Sequence, residues 1–527
     1  MRKLFALVAI LSLPLLANEQ SVTSLQAGWQ IARTPLFDHG LHGEGQIIAV
    51  LDTGLDYDNC FFAEPDGAAP PINTGSPSGG FDWTNVIPSR RKVIAYDFLY
   101  SCAQFPGAPD CENPSDPKAF DNQGHGTHAA ASAAADRGTP IVHDYGDAIA
   151  PGAKLVIQDA GLSATDFCTS RPGIGCPVKL TPILDQAYKQ GARIHSNSWG
   201  DHGAPTASYS QAAHDLDAFV YSHPDMLVVF NTGNYQTTDN PPASSLSSPG
   251  CAKNSLQVGG TRQQNRDDGV LPSYSLHGPA RDGRIKPDVV GPAFVLAGDT
   301  DGDVTSKKCD MSYQGGTSWA APTIAGAAAL VRQYYTDGYY PSGYPTPADR
   351  RTPSAALLKA TIISAARQVP LKWTPAGDVA ALPVPSVEQG WGFPVLDDAL
   401  YFPGDRSKLR VVEGSVAQGE TATLRLQVNA GTPLKAVLVW TDPAGAVTTG
   451  TSPNLVNDLD LRIGALPVTA DHTNNVEVLS IAAPASGIYA IDVTGYRLNS
   501  GSRQDYALVV TGDVSSAPAL RARAVRH

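Results

Sequence analysis

Between about residues 40 and 400, short apolar runs that end in small or polar residues alternate with longer stretches of helix-like spacing. The apolar runs of strand length are QIIAVLD (46–52), KLVIQDA (154–160), ARIHSNSWG (192–200) and MLVVFNTGN (226–234). The helix-like stretches are GHGTHAAASAAAD (124–136), TPILDQAYKQGA (181–192) and ASYSQAAHDLDAFVYSH (207–223). This alternation predicts an α/β fold with a doubly wound, mainly parallel sheet. Ligands bind such sheets beyond the carboxyl ends of the strands, so the polar residues that close the apolar runs are candidate site residues.

The sequence changes character after about residue 403. Apolar and polar residues alternate there without intervening helical patterns, as in TATLRLQV (421–428), and turn residues separate the runs. Such a pattern is typical of an antiparallel β-sandwich. We therefore expect an α/β domain over residues 18–403, a small β-sandwich over 404–515 and a flexible tail over 516–527.

The first 17 residues have the features of a secretory signal peptide. Arg2 and Lys3 precede the apolar segment LFALVAILSLPLLA, which ends at the plausible cleavage residue Ala17. The segment is too short to span a bilayer comfortably, although a membrane anchor is the alternative interpretation. We expect a protein secreted to the extracellular space or the periplasm, with no membrane anchor after cleavage.

Seven cysteines in an exported chain predict disulfide bonds. Cys102 and Cys111 flank one Pro-containing loop, Cys168 and Cys176 flank another, and either pair would close a short ring. Three cysteines remain, so at least one thiol is left over, and the sequence does not fix the connectivity. They are Cys60, Cys251 and Cys309. A metal cluster is the alternative, but the chain contains no C-x-x-C spacing.

The net charge of −12 and the lack of a dense basic patch argue against nucleic acid as a partner. We expect the protein to act as a monomer on other polypeptides.

Three separate segments end or begin with residues that can act together as a nucleophilic system. Asp52 closes the run IIAVLD, His125 stands at the start of an Ala-rich helical stretch, and Ser318 stands at the start of another in GGTSWAAP (315–322). A serine hydroxyl is a weak nucleophile, so it needs a base to take its proton. The base in turn needs an acceptor that fixes its tautomer. Capping of a helix by Ser318 is the structural alternative.

These residues lie in motifs that resemble the three signatures of the subtilisin-like serine proteases, the subtilases. IIAVLDTGLD (47–56), GHGTH (124–128) and GGTSWAAP occur in the family's order Asp, His, Ser. Further stretches with the same resemblance are SNSWG (196–200), TGN (232–234), SSPGCAKNSLQVGGT (247–261), DGRIKPDVVGP (282–292) and QGWG (389–392). The resemblance extends to the oxidation-resistant alkaline branch with a C-terminal β-sandwich, because NLVNDLDLRI (454–463) is similar to a signature of that sandwich.

The resemblance implies a role for each matching residue. Ser318 would attack the scissile carbonyl, His125 would serve as base and then as acid, and Asp52 would orient His125. Asn234 matches the oxyanion-hole asparagine of the family, whose side-chain amide acts with the backbone N–H of the nucleophile.

The resemblance also assigns a substrate cleft. Ser198, Trp199 and Gly200 match one rail of that cleft, Gly161 with its neighbours would form the other, and an extended peptide would pair between them. Ser248–Pro249 matches a family position with a cis peptide bond.

An acidic group in the predicted sandwich is a candidate calcium site. Its members are Asp442, Asn457, Asp458 and Asp460. Their oxygen atoms suit Ca²⁺, which the related branch binds, but the same residues also form Asx turns. No cofactor is expected for catalysis itself, so any calcium would be structural.

Trp319 departs from the family, which usually has Met after the nucleophile. Methionine at this position is oxidised to a polar sulfoxide. The tryptophan therefore predicts tolerance of peroxide.

The sequence thus favours a secreted serine endopeptidase of broad specificity. An esterase of the α/β-hydrolase type would need G-x-S-x-G followed by the histidine, but Ala320 occupies the second glycine position and His125 precedes Ser318. A sedolisin-like acid peptidase would replace the histidine base by glutamate. The non-enzyme alternative is an inactive protease-like or adhesion protein that uses the β-sandwich to bind a partner.

Overall fold

The computed structural model describes residues 17–29, 31–74, 84–102, 111–121, 123–138, 143–161, 180–201, 206–235, 241–261, 269–373, 379–469 and 471–517. The predicted signal segment before Ala17 and nearly all of the predicted tail lie outside this part of the chain. The helices are α1 (Ala17–Ala27), α2 (Pro35–Asp38), α3 (His125–Ala134), α4 (Leu180–Lys189), α5 (Gln211–Ser222), α6 (Thr317–Thr336) and α7 (Ala355–Ser364). The predicted helices over 124–136, 181–192 and 207–223 correspond to α3, α4 and α5.

A parallel sheet of eight strands forms the centre of the first domain. The strands before the C-terminal region are β1 (Ile47–Asp52), β2 (Ile72–Asn73), β3 (Val93–Phe98), β4 (Lys154–Asp159), β5 (Ile194–Asn197), β6 (Leu227–Asn231), β7 (Leu256–Thr261), β8 (Val270–Leu271), β9 (Val289–Pro292), β10 (Phe294–Gly298), β11 (Met311–Gly315), β12 (Ala366–Arg367), β13 (Leu371–Trp373), β14 (Val379–Ala381) and β15 (Phe393–Pro394). The sheet order is β2-β3-β4-β1-β5-β6-β7-β9, and every pairing within it is parallel. The predicted doubly wound α/β fold is confirmed.

The small residues of α6 allow close packing in the middle of the domain. This helix packs against β5, β6, β7 and β9 and against α3. A Cβ atom on Gly326 would lie only 2.5 Å from the backbone oxygen of Ala133 in α3, so a larger residue would force the two helices apart. The stripe of Ala and Gly in α6 thus brings the N-terminal ends of α3 and α6 to the same region.

The C-terminal region forms two antiparallel sheets around one core. Its strands are β16 (Lys408–Val416), β17 (Thr421–Val428), β18 (Leu434–Val439), β19 (Asn457–Ile463), β20 (Val476–Ile481), β21 (Gly487–Leu498), β22 (Gln504–Gly512) and β23 (Val514–Ser516). One sheet has the order β16-β22-β18-β20 and the other β19-β21-β17-β23. Side chains from both sheets share a buried cluster, among them Leu438, Leu459 and Ile491. The antiparallel strands predicted after residue 403 are present.

The first of these sheets also packs on the α/β domain. Alternate residues of β18 point to opposite faces, so Ala436 and Leu438 enter the core of the sandwich while Val437 and Val439 join the large core of the α/β domain. Helix α7 lies against β18 and β22. Because both faces of the sheet are buried, the sandwich is joined to the α/β domain by apolar packing.

Two disulfides are present among the described residues. Cys102 pairs with Cys111, as one of the short rings predicts, and Cys60 pairs with Cys309 across 249 residues of sequence. Cys251 is a buried free thiol. Cys168 and Cys176 lie outside the described residues.

None of the described helices combines the length and the apolar character that a membrane crossing requires.

Candidate active site

Two helices begin beside the carboxyl end of the central strand β1. Asp52 is the last residue of β1, His125 is the first residue of α3, and Ser318 is the second residue of α6. The ring of Trp319, next to Ser318, lies 4.8 Å from the imidazole ring of His125. The fold thus brings Asp52 and His125 into contact and places the start of the Ser318 helix beside them.

Asp52 and His125 form a short hydrogen bond. The imidazole Nδ1 lies 2.6 Å from Oδ1 of Asp52, which also accepts the backbone N–H of Thr53 at 2.8 Å. Asp52 is buried, whereas about a third of the His125 side chain (34%) is exposed. A carboxylate at Nδ1 holds the proton there and leaves Nε2 as the basic nitrogen. Burial lowers the pKa of His125, but the charge and hydrogen bond of Asp52 outweigh that effect and raise it above its usual value.

Two glycines allow the β1 loop and the start of α3 to approach this closely. Gly54 has φ +109°, in the left-handed region that favours glycine. A Cβ atom on Gly126 would lie 2.1 Å from the backbone oxygen of Gly54, which no side chain can tolerate. These contacts explain why glycines follow Asp52 and His125 in the sequence.

Asp121 connects the same two segments, and the sequence analysis did not identify it. Its Oδ1 accepts the Thr53 hydroxyl at 2.8 Å and the N–H of Gly124 at 2.9 Å, while its Oδ2 accepts the N–H of Thr127 at 2.7 Å and its hydroxyl at 2.5 Å. One buried carboxylate therefore joins the residue after Asp52 to the first turn of the His125 helix. An acidic residue just before a helix is a capping signal that would have suggested it.

Ser318 lies where the first backbone N–H groups of α6 have no acceptors within the helix. Its hydroxyl is 3.4 Å from the backbone oxygen of Ser198, and the Ser198 hydroxyl donates to the backbone oxygen of Ser318 at 2.6 Å. Within the described part of the chain, no hydrogen bond joins Ser318 to His125. Contacts between a nucleophile and its base often tighten only when substrate binds.

Asn234 is oriented by the residue before Ser318. Its Oδ1 accepts the N–H of Thr317 at 2.9 Å and the Thr317 hydroxyl at 3.0 Å. These two hydrogen bonds fix the carbonyl end of the Asn234 amide. Its Nδ2 then lies beside Gly316, and a Cβ atom added to Gly316 would be 3.3 Å from this nitrogen. Asn234 therefore presents an amide donor next to the N-terminus of α6.

The predicted cleft residues follow the ends of β5 and β4. Ser198, Trp199 and Gly200 continue from β5, and a Cβ atom on Gly200 would lie 2.6 Å from the Ser247 side chain. The Ser248–Pro249 peptide bond is cis, as the resemblance implies. Gly161 follows β4, but most of the segment after it, 162–179, lies outside the described residues.

A pair of buried acidic side chains lies beneath Gly161. A Cβ atom on Gly161 would be 3.0 Å from Oδ1 of Asp159 and 3.1 Å from Oε1 of Glu112, which directly follows Cys111. The Tyr96 hydroxyl donates to Asp159 at 2.6 Å. Burial raises the pKa of both carboxyl groups, and the charge of Asp159 adds to the effect on Glu112. Neither Glu112 nor Asp159 was predicted as a site residue from the sequence.

Trp319 is almost fully buried and packs between two histidines. Its ring lies 4.8 Å from that of His125 and 4.1 Å from that of His128. His128 contacts the backbone oxygen of Ser312 at 3.2 Å, and burial lowers its pKa to about 4. His128 therefore remains a neutral packing residue at neutral pH.

The four predicted calcium ligands are divided between two sets of contacts. Asp442 is a partner in a fully buried ion pair with Lys253 and accepts the N–H groups of Val456 and Asn457 at 2.9 and 2.7 Å. Oδ1 of Asn457 accepts the N–H of Ser500 at 2.9 Å. Because their oxygens are already used, Asp442 and Asn457 are not available as ligands. Asp458 and Asp460 instead meet an imidazole, that of His472.

Comparison with known proteins identifies the family of this chain. The model of the subtilase family matches residues 43–392. Subtilisin Savinase of Lederbergia lenta is 30% identical over 42% of this chain and 67% of its own length. The serine protease/ABC transporter B family protein tagD of Dictyostelium discoideum is 26% identical over 81% of this chain but only 28% of its own length. Among solved structures, the S41 psychrophilic protease aligns with a TM-score of 0.43 and 19% identity over 72% of this chain and 98% of its own. Two thirds of the chain thus match one family model, and the chain belongs to the subtilase family of serine peptidases.

Proposed function

We propose that this protein is a secreted serine endopeptidase of broad specificity that cleaves peptide bonds through an acyl-enzyme intermediate. The observation that carries the proposal is the 2.6 Å contact between Asp52 and His125 at the end of β1, with Ser318 at the start of the adjacent helix. A buried carboxylate, a partly exposed imidazole and a hydroxyl at a helix N-terminus are the groups that nucleophilic acyl transfer needs.

In the first half of the reaction, the Ser318 hydroxyl attacks the scissile carbonyl and its proton passes to Nε2 of His125. Asp52 stabilises the imidazolium that forms. His125 then gives the proton to the departing amine, which leaves the acyl group as an ester on Ser318. In the second half, His125 takes a proton from water, the hydroxide attacks the ester, and the proton returns to Ser318.

The negative charge on the tetrahedral intermediate needs donors that are already in position. Asn234 supplies its side-chain amide, which Thr317 orients through the carbonyl end. The backbone N–H of Ser318 and the positive end of the α6 dipole act on the same oxygen.

The substrate class is polypeptide in extended form. Ser198, Trp199 and Gly200 on one side and Gly161 on the other would pair with the substrate backbone by strand addition. Backbone pairing makes little demand on side chains, which supports broad specificity. The acidic net charge supports a protein that acts without nucleic acid, and we propose that it acts as a monomer.

Secretion is supported by the two disulfides and by the apolar N-terminal segment. The location would be extracellular or periplasmic. Placement in the oxidation-resistant alkaline branch is supported by Trp319 and by the NDLDL stretch in β19.

The second candidate function is binding without catalysis, through the C-terminal sheets. The only observation that favours this function is the presence of the C-terminal sheets. One face of the sheet that contains β18 already packs on the α/β core, so that face is not available to bind a partner. Some relatives are named serine protease/ABC transporter B family proteins, and the chain spans about a third or less of their length.

Active-site labelling tests the leading proposal. A fluorophosphonate probe should label the wild-type protein on Ser318 and block casein hydrolysis. Ser318→Ala should lose both labelling and hydrolysis, whereas Ser222→Ala, on the exposed side of α5, should keep both. A folded wild-type protein that is neither labelled nor active would contradict the proposal and favour the binding function.

A further inference from the structure

Three potential metal ligands converge on the edge of the C-terminal sandwich. Asp458 and Asp460 are two residues apart on β19 and therefore point to the same face, and His472 follows in the connection to β20. Their potential ligand atoms all lie within 4.8 Å of one another. Nδ1 of His472 is 3.0 Å from Oδ2 of Asp458 and 3.9 Å from Oδ1 of Asp460.

The polar atoms of this cluster have few partners. Both carboxylate oxygens of Asp458, Oδ1 of Asp460 and Nδ1 of His472 are shielded from solvent. Among the described residues, Oδ1 of Asp458 has no hydrogen-bond partner, and Oδ2 has Nδ1 of His472 at 3.0 Å. The Asp458 side chain is completely buried. Arg497 is a further charged neighbour, and its Nη2 lies 3.5 Å from Oδ2 of Asp458. A buried carboxylate oxygen without a hydrogen bond is rare because its desolvation is costly, so Oδ1 of Asp458 indicates that a ligand binds at this cluster.

The donor set determines which cation would fit. Calcium takes six to eight oxygen ligands, and the calcium expectation depended on four oxygen-bearing side chains. Two of the four, Asp442 and Asn457, are used elsewhere, and an imidazole nitrogen stands beside the remaining two. Imidazole with carboxylates suits zinc and similar transition metals. The residues therefore do not fit the calcium that the family resemblance implies.

We propose that Asp458, Asp460 and His472 bind a divalent transition metal of the zinc class. The His472 ring stacks on Tyr496 with a centroid distance of 4.2 Å and an angle of 11°, which holds Nδ1 toward the carboxylates. About 39% of the His472 side chain is exposed, so the cluster lies near the surface, where a water molecule can complete the coordination.

The metal would fasten the connection between β19 and β20 at the domain boundary. Two residues beyond His472, Asn474 accepts the N–H of Ile285 at 2.8 Å, and Asn475 contacts Oδ1 of Asn254 at 3.3 Å. Both contacted residues belong to the α/β domain. Metal binding at His472 would therefore stabilise the segment that touches the catalytic domain.

Metal binding to the full chain tests this proposal independently of peptidase activity. The Ser318→Ala protein, which cannot digest itself, would be stripped with EDTA and titrated with Zn²⁺, Co²⁺ or Ca²⁺ by calorimetry. We expect one Zn²⁺ or Co²⁺ per chain, a rise of several degrees in Tm, and a visible absorption band for Co²⁺. Ca²⁺ should give no comparable effect.

Substitutions of the ligands identify the site. His472→Ala and the near-isosteric Asp458→Asn should each weaken Zn²⁺ binding at least tenfold, whereas the exposed His39→Ala should leave it unchanged. Binding of Ca²⁺ in preference to Zn²⁺, or Zn²⁺ binding that survives both substitutions, would overturn the proposal. So would the absence of any cation binding to the folded protein, because the three side chains would then be a simple ionic cluster.

Discussion

Lys253 and Asp442 form an ion pair between the α/β domain and the C-terminal sandwich, and both side chains are completely excluded from solvent. Lys253 precedes β7, and Asp442 follows β18. The ammonium group also donates to the backbone oxygens of Pro443 at 2.6 Å and Asn454 at 2.9 Å. The charge of Lys253 is thus matched by one carboxylate and two backbone oxygens of the C-terminal region.

Removing one partner of this pair should destabilise the protein strongly. Lys253→Met leaves the Asp442 carboxylate buried without its counter-ion, and breaking a buried pair in this way costs about 3–5 kcal/mol. Guanidinium unfolding of the Ser318→Ala protein measures the loss. The exposed Lys118→Met is the matched control and should cost less than about 0.5 kcal/mol. A loss below about 1 kcal/mol for Lys253→Met would show that the pair does not hold the domains together.

Asp52→Asn should lower kcat by about 10⁴, the magnitude known for the same change in another serine protease, because the amide no longer selects the reactive tautomer of His125. Asp52 also raises the pKa of His125. Because only neutral His125 acts as a base, activity falls as the pH drops through that raised pKa. The acidic limb of the kcat/KM profile should therefore lie above pH 6.5 in the wild type and move to lower pH in Asp52→Asn. An unmoved limb would contradict the assignment of His125 as the base.

Asn234→Ala should lower kcat by about 10²–10³ with little change in KM, because the lost donor acts on charge that develops in the transition state. That range was measured in subtilisin, a member of the same family. Thr317→Val removes one of the two donors that orient Asn234 and should give a smaller loss. Steady-state kinetics on a peptide substrate gives kcat and KM separately for both variants. A rise in KM with kcat unchanged for Asn234→Ala would instead indicate a role in ground-state binding.

Glu112→Gln should stabilise the protein at alkaline pH. The folded state raises the pKa of Glu112, mainly through burial, so the protonated form contributes stability that is lost as the pH rises above the ordinary carboxyl range toward the raised pKa. Glutamine stays neutral and removes this loss. The difference in Tm between variant and wild type should be small at about pH 4 and should grow steadily toward about pH 9. A difference that is independent of pH would mean that Glu112 is ionised in the folded protein.

Trp319→Met should make activity sensitive to peroxide. The indole replaces the methionine usual in the family and packs against His125, where a sulfoxide oxygen would add a polar group beside the nucleophile. Half-lives in hydrogen peroxide compare the two proteins. Both should carry Met311→Leu, because Met311 is a partly exposed methionine of the hairpin before Ser318. Equal half-lives would refute the role of Trp319.

The sequence was sufficient to predict features whose signals are local. The alternation of apolar runs and helical stretches predicts the parallel sheet, since the spacing of apolar residues within each segment distinguishes a strand from a helix. Asp52, His125 and Ser318 could be selected as candidates because each stands at the end or start of such an element, within a few residues that define it. The antiparallel strands after residue 403 follow from the same local reasoning.

Relationships between distant segments were decided only by the tertiary structure. From the sequence, Asp442 and Asn457 were predicted as ligands together with Asp458 and Asp460. In the packed domains, Asp442 instead forms an ion pair with Lys253, and the carboxylates of Asp458 and Asp460 lie close to His472. Asp121, which joins the segments of Asp52 and His125, and the pairing of Cys60 with Cys309 were likewise not predicted. The physical reason is that the residues next to a charged group or a thiol in the sequence do not indicate which distant residue it will pair with. Which groups are buried together, and at what distance, depends on how the domains and loops pack.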